Sequence, residues 1–174
     1  MFDFNYFTPT KVVFGRGAED QVAGLIKEFG GTKILIHYGG GSAIDSAKAI
    51  GYGVANEGDV WDFYDYKRKA QGCLPVGVIL TLAATGSEMS DSSVITKEDG
   101  LVKRGYSSDF SRPKFAIMDP EESDTSRSGE IPPANTTIFM IFSHRLESRL
   151  LTFSGIRGEN GSAAAPDRPG CFGD

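Results

Sequence analysis

The chain has 174 residues, 40% hydrophobic and 24% charged, enough for one sizeable core and a small appendage. A formal net charge of -5 and a pI near 5.1 provide no basic surface for a nucleic-acid backbone or an anionic membrane, so neither partner is expected. The opening MFDFNYFTPT lacks a positive n-region, and no stretch approaches the roughly 20 apolar residues of a membrane span, so the cytoplasm is the expected compartment.

KVVFG, from Lys11 to Gly15, reads as a short β-branched strand ending in a turn. The following GAEDQVAGLIKEFGG places Val22, Leu25, Ile26 and Phe29 on one helical stripe, with Gly30 and Gly31 as its stop. KILIH, from Lys33 to His37, is a second strand, and Ser42 opens a second helix whose Ile44, Ala47, Ile50 and Val54 lean to one side. The rhythm is βαβα, which predicts an α/β fold. PVGVILT, from Pro75 to Thr81, is apolar almost throughout, as strands covered on both faces are. It runs into the polar loop LAATGSEMSDSS. SSVIT (Ser92 to Thr96) and KFAIMDP (Lys114 to Pro120) read as two more strands separated by a charged turn, KEDGLVKRG, so the chain up to Pro120 reads as one α/β layer.

Beyond Pro120 the segments EESDTSRSGEIPPANTT and IRGENGSAAAPDRPGCFGD are too polar or too small-residue-rich to bury much core. Between them IFMIFSHRLESRLLTF reads as a helix that is apolar on nearly every side. No internal repeat of fixed period is present.

Three glycines between a strand and a helix let the backbone approach an anion, and the helix N-terminus offers unpaired N–H groups and a partial positive charge. Gly39 to Gly41 therefore suit a phosphate cradle, although they match neither G-x-G-x-x-G nor a P-loop, and an ordinary tight turn reads them equally well. TLAATGSE carries Thr81, Thr85 and Ser87 past a strand end, where open α/β sheets bind ligands. Taken alone it is a capping loop; two such strand ends in one sheet shift the balance toward a nucleotide. Gly15-Arg16-Gly17 reads as a turn, because Asp20 stands where a dinucleotide fingerprint needs its third glycine. GDVWDFYDYKRK, around Trp61, reads as core packing with a solvated rim, and Asp59, Asp62 and Asp65 have no histidine nearby to complete a metal set. Cys73 and Cys171, far apart and without CxxC spacing, read as ordinary thiols. His37 reads as a structural strand residue. His144, with Glu147 three residues on, is too little for a transition metal by itself.

FTPTKVVFGRGAEDQVAGLIKEFG, GGGSAIDSAKAI, GDVWDF, LPVGVILTLAATGSEMSDSSVIT and RPKFAIMDPE resemble, in that order, the iron-containing alcohol dehydrogenases, in particular their NADPH-dependent butanol dehydrogenase branch. The likeness runs from Phe7 to about Glu121. It implies a dehydroquinate-synthase-like architecture: a Rossmann-like N-terminal α/β dinucleotide domain, a helical C-terminal domain, and iron or zinc in the cleft, where the metal polarises a carbonyl that exchanges hydride with the nicotinamide. By position the resemblance assigns Gly39, Gly40, Gly41 and Ser42 to the pyrophosphate and Asp45 to the vicinity of the cofactor. Thr81, Thr85 and Ser87 fall to the ribose and nicotinamide side, and Lys103 to a ribose hydroxyl.

Two departures qualify the likeness. In the family one strand ends in a YGGGS-like turn that chooses between NAD and NADP, and a later strand ends in GGGS.ID.AKAI, which holds the pyrophosphate. Here KILIHYGGGS is the head of the first and GGGSAIDSAKAI the tail of the second, so one glycine cluster near 38–42 serves for two and the intervening elements are missing. The strand before the turn must then pair with new neighbours or leave an open edge. Second, His144 aligns with the histidine of the family's D-x-x-x-H metal motif, but Met140 stands where its aspartate belongs, and no counterpart of the remaining histidines follows.

The sequence therefore predicts a partial Rossmann-like dinucleotide domain over 1–120, internally shortened, and a divergent, partly disordered remnant of the helical metal-binding domain over 121–174. The predicted function is that of an oxidoreductase interconverting aldehydes and primary alcohols with NADP (NAD being the alternative), with little or no turnover by this chain because the metal site is incomplete. A non-catalytic NADP(H)- or phosphate-binding fragment is the competing reading. The expected partner is a small aldehyde or alcohol, and a homodimer, the habit of the family, is open.

Overall fold

A computed structural model of the chain describes residues 7–39, 42–81, 85–120, 137–142 and 156–157. Strands β1 (Lys11–Phe14), β2 (Ile34–Gly39), β3 (Val76–Leu80), β6 (Phe115–Met118) and β7 (Thr137–Phe142) form the main sheet, in the order β1-β6-β3-β7-β2. β1, β6 and β3 run parallel, and β7 runs antiparallel to both β3 and β2, so β2 points the same way as β3. A second sheet holds β4 (Ser92–Lys97) between β5 (Val102–Ser107) and β8 (Ile156–Arg157), all antiparallel.

Each sheet face takes one helix. A 3-10 turn over Ala18–Gln21 leads into α1 (Val22–Glu28), whose Leu25 and Ile26 bury against Phe115 and Ile117. On the opposite face α2 (Ala43–Ala55) packs Ala43, Ile44 and Ala47 on Val76, Val78 and Leu80. On the α1 face Gly77 stands in register with Phe115 because there is no room for more: a Cβ built there would fall 2.4 Å from the Phe115 ring. The turn after β1 closes on the end of β6, where the buried Asp119 carboxylate accepts the Gly17 N–H at 2.6 Å, and Gly17 takes the left-handed φ of 69°. This region is a turn, as Asp20 implied.

A third cluster is aromatic. Short helix α3 (Trp61–Tyr64) sets Trp61, Phe63 and Tyr64 against Tyr52 of α2 and Tyr106 of β5, with Tyr52 and Tyr106 edge to face at 5.3 Å. Its charges stay at the rim: Asp65 meets both Lys67 and Arg104 at 2.9 Å, and Arg68 meets Asp62 at 3.5 Å. The predicted core with a solvated rim is found.

Three sequence expectations change. The segment from Lys97 to Gly105 is not only a turn, since Val102–Ser107 forms β5 and pairs with β4 from Ser92↔Ser107 to Lys97↔Val102. Its exposed Lys103 and Arg104 hid the strand, because a hairpin covered on one side carries charge on the other. The chain to Pro120 is accordingly not one layer but a parallel unit with a hairpin sheet beside it. The predicted helix from Ile138 is, over Thr137–Phe142, a strand. An unbroken apolar run suits a strand between two others as well as a buried helix, and here it fills the place between β2 and β3. The strand before the glycine turn thus does find a new neighbour, while Ile34, Ile36 and Tyr38 on β2 stay exposed.

Candidate functional site

The register places two strand ends at the same level, with β7 between them. Ile138 of β7 pairs with both Tyr38 and Ile79, so β2 ends at Gly39 level with the end of β3 at Leu80, one strand apart or about 10 Å. From Gly39 the chain reaches Ser42, whose side chain makes no cap bond, and the first intrahelical bond of α2 is Ser46 N–H to the Ser42 carbonyl at 3.1 Å. Helix geometry leaves the N–H groups before Ser46 without intrahelical acceptors. Gly39 keeps the approach narrow, since an added Cβ would sit 3.4 Å from that of Ala43.

The hydroxyl loop meets this helix end through Ser87. Its Oγ donates to Asp45 Oδ1 at 3.2 Å and lies 3.1 Å from Thr85 Oγ1. Gly86, at a φ of 75°, makes the turn between them, and its carbonyl accepts the N–H groups of Met89 and Ser90. Burial pushes the Asp45 carboxyl above the usual carboxylate range, opposed by the Lys48 charge, the Val94 N–H, the Ser87 hydroxyl and the Lys103 charge. Of the predicted cofactor residues, the structure therefore brings together Gly39, Ser42, Asp45, Thr85 and Ser87. Thr81 follows β3 directly, and Lys103 on β5 stands within electrostatic reach of Asp45. Gly40, Gly41 and the metal candidate His144 lie outside the described residues.

Sequence reading overlooked three partners of this site. Lys48 is fully buried, and its Nζ donates to the carbonyls of Ser87 (2.8 Å), Ser90 (2.8 Å) and Ser92 (2.7 Å). Ser93 donates to the Asp45 carbonyl at 2.7 Å, and its Oγ lies 2.7 Å from the Tyr64 hydroxyl. A signal for Lys48 was available: Ile44, Ala47, Lys48 and Gly51 share one helical stripe, so a lysine stands in a core-facing row. Nothing comparable marks Ser93 or Tyr64.

No metal set accompanies these groups. Among the described residues no group of three or more His, Cys, Asp and Glu side chains could hold an ion. Asp59 accepts the Trp61 N–H at 2.9 Å, and Asp62 and Asp65 are engaged with Lys67, Arg68 and Arg104. Burial raises the Cys73 thiol to about 12, so it offers no thiolate at neutral pH, and burial lowers the pKa of His37, which keeps its imidazole neutral. Nor is any helix among the described residues long and apolar enough to cross a membrane.

Known proteins match this arrangement. The family model for iron-containing alcohol dehydrogenase matches residues 35–120. The chain is 32% identical over 196 residues to the probable NADH-dependent butanol dehydrogenase 2 of Bacillus subtilis, covering 80% of this chain and 49% of that one. It is 31% identical over 216 residues to NADH-dependent butanol dehydrogenase A of Clostridium acetobutylicum, covering 91% and 54%. Among solved structures, NADH-dependent butanol dehydrogenase A from Thermotoga maritima superposes with a TM-score of 0.61 at 28% identity, over 71% of this chain and 46% of that one. The chain spans about half the length of the curated relatives it matches. The Bacillus match is longer than the share of this 174-residue chain it draws on, so it runs across positions that this chain lacks. The strand ends, the α2 turn and the hydroxyl loop all lie inside or beside the matched span, and the chain belongs to the iron-containing alcohol dehydrogenase family.

Proposed function

We propose that this chain binds a nicotinamide dinucleotide between the N-terminus of α2 and the loop from Thr85 to Ser87. It represents the dinucleotide unit, over 1–120, of an alcohol dehydrogenase that interconverts aldehydes and primary alcohols. The observation that carries this reading is the convergence of Ser42, Asp45, Thr85 and Ser87 on two level strand ends with β7 between them, at the edge where open α/β sheets bind nucleotides. The N–H groups that open α2 suit the pyrophosphate, with Gly39 to Gly41 leaving space for it. The hydroxyls of Thr81, Thr85 and Ser87 suit the ribose and nicotinamide side, and Lys103 a ribose hydroxyl. When bound, the dinucleotide would supply the hydride. Asp45, held by Ser87, would fix the loop that orients it.

The named relatives are NADH-dependent, which favours NAD(H) as the first ligand to test and NADP(H) as the second. The described residues do not supply a metal set, and we expect little or no aldehyde turnover from the chain as it stands. Titrating the fluorescence of NADH and of NADPH against the chain tests the binding reading; no saturable change with either removes it. Aldehyde-dependent NADH oxidation with added ferrous iron or zinc tests the second part, and robust metal-dependent turnover by this chain would overturn it.

A further inference from the structure

Lys48 is one of the most deeply buried side chains of the protein, yet its ammonium ends on backbone rather than on a carboxylate. An ammonium has three protons to donate, and three carbonyls, those of Ser87, Ser90 and Ser92, lie 2.8, 2.8 and 2.7 Å from Nζ. The Ser90 hydroxyl, at 3.4 Å, is a weaker fourth contact. One turn earlier on α2, Asp45 accepts Ser87 Oγ, so the helix grips Ser87 twice, by carbonyl and by hydroxyl. The Asp45 grip uses a hydroxyl at the strand ends, whereas the Lys48 grip uses backbone carbonyls alone. Their joint effect is to fix where the loop sits relative to the first turn of α2.

From this geometry we infer that Lys48 is a positioning residue for the dinucleotide, holding the 85–92 loop at a set distance from the N-terminus of α2 so that one ligand can span both. The inference rests on the binding reading above. A ligand held at two places loses affinity when the places drift apart, because closing the gap must then be done at the ligand's expense.

The groups that face Lys48 are Asp45 on its own helix, Asp91 in the loop, the Cys73 thiol and Arg112. Burial outweighs the attraction of Asp45 and Asp91 and lowers the ammonium to about 8. Deprotonation leaves two donors for three carbonyls, so the grip slackens within reach of ordinary buffers.

The test is NADH fluorescence titration of the full chain, its Lys48→Met variant, and a Leu25→Ala control that weakens packing under α1 on the other sheet face. At about pH 7 the wild-type chain should saturate, Lys48→Met should bind about tenfold more weakly, and Leu25→Ala should stay within about twofold. Raising the pH from about 7 to about 9 should weaken wild-type binding severalfold and leave a folded Lys48→Met unchanged. A Lys48→Met chain with native circular dichroism and wild-type affinity overturns the inference while leaving the binding reading intact. Where that variant does not fold, a flat wild-type affinity across the same pH range overturns it instead. Absence of binding by the wild-type chain removes the binding reading, and the inference with it.

Discussion

The contact beneath α1 and the seam between α2 and the 85–92 loop hold this protein together by different means. Under α1, Leu25 and Ile26 meet Phe115 and Ile117 with no polar group needed, and stability follows apolar area and fit. At the seam, Lys48, Asp45, Ser87 and Ser93 match donors to acceptors in a place water hardly reaches, so the arrangement is decided by hydrogen-bond count and charge. The first kind of contact tolerates small changes of shape and supports the fold. The second tolerates none of its partners being removed, and it is the one that borders the candidate site.

The largest effect should come from the dry side. Phe115→Ala empties the space beneath α1 and against Gly77, and should lower unfolding free energy by about 3–5 kcal/mol in urea titration. At the seam, Ser93→Ala strips a partner from both the Tyr64 hydroxyl and the Asp45 carbonyl, for about 1–3 kcal/mol in the same titration; a value near zero would mean that water reaches the seam.

Acidity separates the two regions without mutation. Lys48 sits at about 8 in the folded chain against an ordinary 10.5, so the unfolded chain holds more protons between those values. Its contribution to stability is full above the ordinary value and is lost as pH falls through about 8. Urea midpoints should therefore rise from about pH 7.5 to about pH 9.5, at no more than about 1.4 kcal/mol per pH unit, and Lys48→Met should remove the rise. Asp45 has the opposite sign: its contribution is full below the ordinary carboxylate value and is lost as pH rises through its elevated one. Neutral Lys48 thus costs less to bury while gripping the loop less, so fold stability and dinucleotide affinity should move in opposite directions over the same alkaline range.

Ser87→Ala should cost about 1 kcal/mol of stability and lower NADH affinity severalfold, since it frees the Thr85 side of the loop while Lys48 still holds its backbone. The smallest effect belongs to the rim: Lys11→Ala breaks a 2.7 Å pair with Glu28 whose side chains are both about half exposed, and should change stability by less than about 0.5 kcal/mol.

Local pattern was enough for β1, α1, β2, α2, β3, β4 and β6, because each reports itself through a short apolar period or a glycine stop. It failed where the environment decides. Val102–Ser107 looks like a charged turn until Tyr106 is seen to bury between Tyr52 and Tyr64 while its neighbours face water. Thr137–Phe142 has no period of its own and becomes a strand because two others flank it. Of the residues the sequence singled out, Gly39, Thr85 and Ser87 lie at the candidate site by residue type and place, whereas Lys48 and Ser93 act through backbone carbonyls, which no sequence displays.

The sequence by itself determined the α/β order, the strand ends rich in glycine and hydroxyls, and, through its likeness to known motifs, the family, since these are written in residue type and spacing. Only the tertiary structure decided that β7 enters the sheet beside β2, that the hairpin forms its own layer, and that a lysine in the core-facing row of α2 ends on three loop carbonyls. Pairing and burial are relations between segments distant in the chain, and what a strand or a charge will do depends on which neighbour arrives to meet it.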